Sequence, residues 1–260
     1  VDQISLKEFL DYLVVQYNNP EFISSDPIQI PHLFSLKEDI EISAFLTATI
    51  SWGNRVSIIN SARKLMKLLG DSPYDFIVNH EDRHLKQITQ FVHRTFNSTD
   101  LLVFIDSLKS MYRQNNGLEG VFSKYATADS ILPAIHYFKQ EFFSIPHPER
   151  TRKHIPDPFT GSAAKKINMF LRWMVRTDDR GVDFGIWRQI SPSILSCPLD
   201  VHSGRVARQL GLLHRTMNDV KAVQELDIQL RKFDRSDPVK YDFALFGLGV
   251  RERINVNLTP

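Results

Sequence analysis

The chain has almost no cysteine. Cys197 is the only one in 260 residues, which excludes an internal disulfide and a four-cysteine metal or iron–sulfur site. It also fits a reducing compartment, so the expected location is cytoplasmic. No apolar run approaches the roughly 20 residues of a membrane span, and no membrane association is expected. No basic, then apolar, then small-residue segment opens the chain, so no signal peptide is read. Long alternating runs of the strand type are missing, and so is any repeat of fixed period. No cofactor and no metal are expected.

What is present is helix. Apolar residues make up 42% of the chain and charged residues 24%, with 18 Phe and three Trp to build a core. Amphipathic spacing predicts helices over residues 4–17, 36–52 and 56–70, with the middle one nearly continuous apolar from Ile42 to Ile50. The segments 72–79, 84–96 and 101–114 follow, then short pieces from Gly117 to Phe143. A proline-rich basic stretch, Ile145 to Gly161, reads as a loop or junction. Helices resume over AKKINMFLRWMVR, DVHSGRVARQLG, 219–233 and KYDFALFGLG. The expected fold is all-α. It is one domain over residues 1–260, with helical lobes of about 36–145 and 160–255 around a central cleft, and the N-terminal helix packed on.

Net charge is only +2, yet it is uneven. Between Arg150 and Arg215 there are 12 Lys or Arg and 5 Asp or Glu, a local balance of +7 that leaves −5 elsewhere. Two readings are open: scattered solvated charge, or a basic face for a polyanion.

The segment CPLDVHSGRVARQLGLL, Cys197 to Leu213, sets an aspartate just before an amphipathic helix that closes at Gly211. By residue type alone Asp200 is an N-cap, accepting hydrogen bonds from free backbone N–H groups. The words around it, however, resemble the segment that carries the catalytic aspartate in the helix-hairpin-helix DNA glycosylase superfamily. There a P-[VL]-D-[TV]-H run leads into a helix bearing R-V-A-x-x-L-G. FLRWMVR and PLDVH are the marks of an uncharacterised bacterial family that is itself similar to this superfamily. The likeness runs from about Leu36 to Arg253 and is nearest in style to the 8-oxoguanine glycosylases.

The resemblance implies a site. FLTATISWGNRVSIINSARKLM resembles the superfamily's early helix pair, whose turn fills the gap left by an extruded base. Trp52 and Asn54 are the candidates, with Arg55 beside them; the residues alone read as an ordinary turn. Strand-cleaving members place a lysine at a helix start before the aspartate. Here Lys165 and Lys166 are adjacent, about 100° apart on a helix, so one of them points at Asp200. Both remain open, with Lys165 the first choice, and Ser162 is a candidate N-cap. Two departures stand out. DPFTGSA replaces the glycine-rich hairpin, and 35 positions separate Lys165 from Asp200. A divergent archaeal 8-oxoguanine glycosylase branch has a similarly long separation. KYDFALFGLG resembles the late helix that packs behind the aspartate, with glycines allowing close approach. His80-Glu81-Asp82-Arg83-His84 matches H-E-x-x-H, but its charged centre reads as solvated surface rather than a zinc helix.

The function this implies is a base-excision DNA glycosylase, with or without strand-cleaving lyase activity, acting as a monomer on damaged double-stranded DNA. An oxidised purine is the lesion its style suggests. Asp200 stabilises positive charge on the sugar and Lys165 or Lys166 attacks C1′. Arg172, Arg176, His202, Arg205 and Arg208 contact DNA or balance the site's charge. The alternative is a non-catalytic nucleic-acid binder of the same fold.

Overall fold

The computed structural model describes residues 3–251. Its α-helices are α1 (Gln3–Tyr17), α2 (Pro20–Ser25), α3 (Lys37–Ile50), α4 (Arg55–Leu68), α5 (Pro73–Asn79), α6 (Asp82–Leu85), α7 (Ser98–Gln114), α8 (Gly117–Tyr125), α9 (Leu132–Phe142), α10 (Lys165–Val175), α11 (Val201–Gln209), α12 (Val220–Phe233) and α13 (Tyr241–Arg251). The protein is all-α, with one minimal two-stranded hairpin, β1 (Val92–His93) and β2 (Phe96–Asn97), among the described residues. Residues 252–255, which end the expected second lobe, lie outside the described residues. No described helix is long and apolar enough to cross a membrane.

The continuous apolar run in α3 has its cause in burial. Every residue from Ile40 to Ile50 is buried, because α10 covers one side while α4 and α5 cover others. Phe45, fully buried, sits among the rings of Phe104, Phe138, Phe142 and Phe170, each 5.6–5.8 Å away. Emptying such a position typically costs about 3–5 kcal/mol.

At the other end of the molecule α13 lies between α1 and α11. Its glycines permit this. A Cβ at Gly247 would fall 2.2 Å from the Tyr17 ring, and one at Gly249 would fall 2.9–3.0 Å from His202. Thus α1 joins the C-terminal helices, while α10 packs on α3, and one continuous apolar cluster runs through both groups.

Two local expectations are corrected. The segment 84–96 is not one helix. It breaks into α6, a 3₁₀ turn at Ile88–Gln90 and the hairpin, whose register pairs Val92 with Asn97 and His93 with Phe96. Its side chains alternate, Val92 outward and His93 inward, and Arg94 turns the chain at φ 54°. Nor is Ser162 the N-cap of α10. Ala164 occupies that position in the left-handed region, and the Ser162 hydroxyl accepts from its N–H. The basic loop also contains two 3₁₀ turns, Glu149–His154 and Pro158–Thr160. Gly211 is left-handed, as its place after α11 implies.

Candidate active-site cleft

A cleft of about 850 Å³ opens where the α2 segment, the α3–α4 turn and the N-terminal ends of α10 and α11 converge, with α13 behind. Trp52, Arg55, Lys165, Lys166, Arg172, Asp200 and His202 all line it. Residues up to 150 positions apart in sequence are thus brought to one wall. Asn54, Arg176, Arg205 and Arg208 do not line it.

Asp200 is both a cap and something more. Its Oδ1 accepts from the backbone N–H groups of His202 and Ser203 at 2.8 and 3.0 Å, and the Ser203 hydroxyl returns a bond to the Asp200 N–H. That is a complete capping box. Only one oxygen is used in it. Oδ2 lies 4.0 Å from Lys165 Nζ, with both side chains partly exposed.

The two lysines diverge as their helical rotation demands. Lys165 leans over Met169 toward Asp200. Lys166 turns the other way and donates to the Thr49 carbonyl at 2.6 Å, at the buried C-terminal end of α3 where no intrahelical partner is available. Burial, reinforced by the charge of Lys165, lowers the Lys166 pKa to about 8.

The α3–α4 turn projects an exposed indole. Trp52 is 54% exposed, whereas Trp173 and Trp187 are buried. It therefore does not close the core. Asn54, beside it, is the N-cap of α4, accepting from Ser57 N–H. That is the ordinary turn role, and it leaves Trp52 as the projecting side chain. Beneath the turn, His93 bridges Ser61 Oγ and the Trp52 carbonyl, and burial lowers its pKa.

Arg172 and Arg176 have acidic partners within the protein. Both are buried. Arg172 bonds Asp183 and Asp242, and Arg176 bonds Asp183, Asp178 and Asp237. Each already has buried carboxylates as partners, which is the charge-balance role of the two that were expected. The basic stretch is neutralised elsewhere too: Arg150 pairs with Asp100, Arg152 with Glu149 and Arg215 with Asp219. Arg205 donates to the Gly249 carbonyl, and Arg208 to the Arg215 carbonyl and Asn218, so both tie α11 to its neighbours.

Among the cleft residues that went unread in the sequence, three stand out. Asp242 and Asp26 are buried carboxyls on its floor, and Phe246 is a wall over which Arg55 lies at 5.4 Å. Burial raises the Asp242 pKa to about 6 against the opposing charge of Arg172, and the charge of Asp200 adds to the rise. Burial likewise raises that of Asp26, against its bond from Ile28 N–H. A charge inside the otherwise apolar run YDFALFGLG was the available signal for Asp242. Asp26 sat in a polar link and gave none.

In the His80–His84 segment, His84 accepts from Glu81 N–H and His80 is tied to the Phe76 carbonyl. No group of three or more His, Cys, Asp or Glu among the described residues is placed to hold a metal ion.

Fold and site together define an all-α protein with a cleft that pairs a helix-capping carboxylate with a lysine amine. Residues 26–251 match the family model "Protein of unknown function (DUF2400)", and the chain belongs to that family. Of the cleft-lining residues only Phe22 precedes the matched region. No curated protein and no solved structure matches the chain.

Proposed function

We propose that the protein excises a damaged base, of the oxidised purine class, from double-stranded DNA. The observation that carries the reading is the approach of Lys165 Nζ to Asp200 Oδ2, 4.0 Å, inside a cleft large enough for a nucleotide. A base inside a duplex is out of reach of any such pair, so the nucleotide is flipped into the cleft. Aromatic and apolar walls, Phe22, Phe246 and Met169, suit a flat heterocycle.

The chemistry balances with these groups and solvent water. Lys165 sheds a proton to solvent and attacks C1′ with the freed lone pair. The N-glycosidic bond breaks, its electrons go to the base, and the departing base takes up a proton. The ionised Asp200 offsets positive charge growing on the sugar. In the lysine–sugar adduct the nitrogen sheds its proton and its lone pair opens the ring: the C1′–O4′ bond breaks, O4′ takes up a proton and a Schiff base forms, which water hydrolyses or which loses a C2′ proton as the C3′–O bond breaks and the 3′ phosphate departs. Held by its capping box, Asp200 needs no reorganisation as that charge grows.

The test is a panel of single-lesion duplexes with wild type and Asp200→Asn. Asn caps a helix about as well as Asp, so folding and duplex affinity stay near wild type. Base release falls about 100-fold or more. Near wild-type release by Asp200→Asn makes Asp200 a cap and overturns the mechanism. Tight binding of lesion duplexes with no release from any of them favours the non-catalytic binder instead.

A further inference from the structure

The hairpin β1–β2 has no counterpart in the reading above, yet it ends against the cleft's projecting indole. The Arg94 guanidinium lies over the Trp52 ring, 4.3 Å from its centroid. Three features hold it there. Arg94 adopts φ 54°, in the left-handed region that a non-glycine residue enters at a cost. Gly53, at φ 107°, leaves the room, because a Cβ there would fall 2.3 Å from Arg94 Nη1. His93, next in the chain, is buried and tied to the Trp52 carbonyl and to Ser61 on α4. From behind, Arg150 donates to the Thr95 carbonyl at 3.0 Å and to Asn97, bracing the turn and the second strand of the hairpin. Arg94 is exposed, and no acidic side chain among the described residues pairs with it.

A surface cation that a protein needs only for solubility does not require a left-handed backbone, a glycine cleared for it and two anchoring bonds. We propose that Arg94 is a positioning residue for Trp52, and that the pair forms a two-layer plug seated in a DNA duplex where a nucleotide has been flipped out. The guanidinium is flat and stacks on an indole face, which a lysine ammonium does not. Stacked, it holds the ring at a fixed angle above the cleft and presents its remaining N–H donors alongside. A rigid plug costs less side-chain entropy on insertion than a free indole. This inference rests on DNA as the partner. It goes beyond that reading in assigning the hairpin, and Arg94 in particular, to the contact surface.

Trp52 is the one exposed tryptophan of the three, so collisional quenching of fluorescence reports on it selectively. The variants are Arg94→Ala, Arg94→Lys and Gly53→Ala; the last displaces Arg94 without removing its charge, and it also strains the turn at φ 107°, so the two Arg94 variants decide. The expected result is increased acrylamide quenching in all three. Each also binds a duplex bearing a stable abasic analogue about 10-fold more weakly, with little change on the same oligonucleotide as a single strand. Wild-type affinity in Arg94→Lys would mean that charge alone matters and overturns the proposal. So would equal losses on single strand and duplex. If the wild-type protein binds no nucleic acid, the DNA reading fails by itself. Quenching then still tests the stack, and unchanged quenching in both Arg94 variants removes the positioning role.

Discussion

Helix α10 has two cationic ends with opposite fates. At its start Lys165 and Lys166 border the cleft. Two and three turns on, Arg172 and the C-capping Arg176 are enclosed by Asp178, Asp183, Asp237 and Asp242. The arginines cannot shed their charge, so burial is tolerable only with fixed counterions and several hydrogen bonds each. Lys166 can shed its charge. Lys166 is held with a pKa of about 8 and a backbone carbonyl as its closest polar partner. One end of the helix is a fixed frame, and the other keeps an amine whose charge depends on conditions. Cation count along the sequence hides this division, since both ends contribute equally to the +7 stretch.

The comparison breaks most visibly if the arginine end is cut. Arg172→Met leaves Asp183 and Asp242 without their shared cation, both buried. The expected loss of stability is about 3–5 kcal/mol, the range for breaking a buried pair from one side. Asp183→Asn should follow in the same direction. Urea melts measure both, and a loss under about 1 kcal/mol would place the network outside the structural frame.

At the lysine end the expected effect is on chemistry, with stability little changed. Borohydride should trap a covalent adduct between wild-type protein and a lesion duplex. Lys165→Gln should abolish the adduct, because Lys165 is the amine that approaches Asp200. Lys166→Gln should retain it with weaker duplex binding. Peptide mapping of the trapped species names the attacking residue. An adduct on Lys166 reverses the assignment, and base release without any adduct makes water the nucleophile.

Helix periodicity made most of this legible in advance. The buried α3, the α10 stripe and the close-packed glycines of α13 follow from spacing and residue size, and the lysine pair and Asp200 from motif order. The hairpin did not follow, because HLKQITQFVHRTF satisfies a helical period about as well as a strand period. Its turn also uses a left-handed Arg94 in place of Gly or Asn. The counterions of the arginines were equally hidden. Asp242 lies 70 positions from Arg172, and no local rule pairs residues at that distance. The choice between Lys165 and Lys166 depended on the helix rotation relative to α11, which only tertiary packing sets.

The smallest expected effect per measured step, at most about 0.7 kcal/mol per half pH unit, is a pH slope that isolates Lys166. Its folded pKa is about 8 against an unfolded value of 10.5. Below pH 8 both states carry the proton, and the folded state bears the full penalty of a buried charge. Between pH 8 and 10.5 the unfolded chain binds more protons than the folded one, so this residue makes stability rise with pH. The slope is at most about 1.4 kcal/mol per pH unit. Lys166→Met removes the titration and also the bond to the Thr49 carbonyl. The sign of its effect at any single pH therefore mixes two terms, but the trend does not. Wild type should gain on the variant steadily from pH 8 to 10.5 and keep a constant difference below. Paired urea melts at half-unit intervals measure that difference directly. A difference that stays flat across the window means that Lys166 titrates as a solvated lysine. The contrast between the two ends of α10 would then be one of position alone.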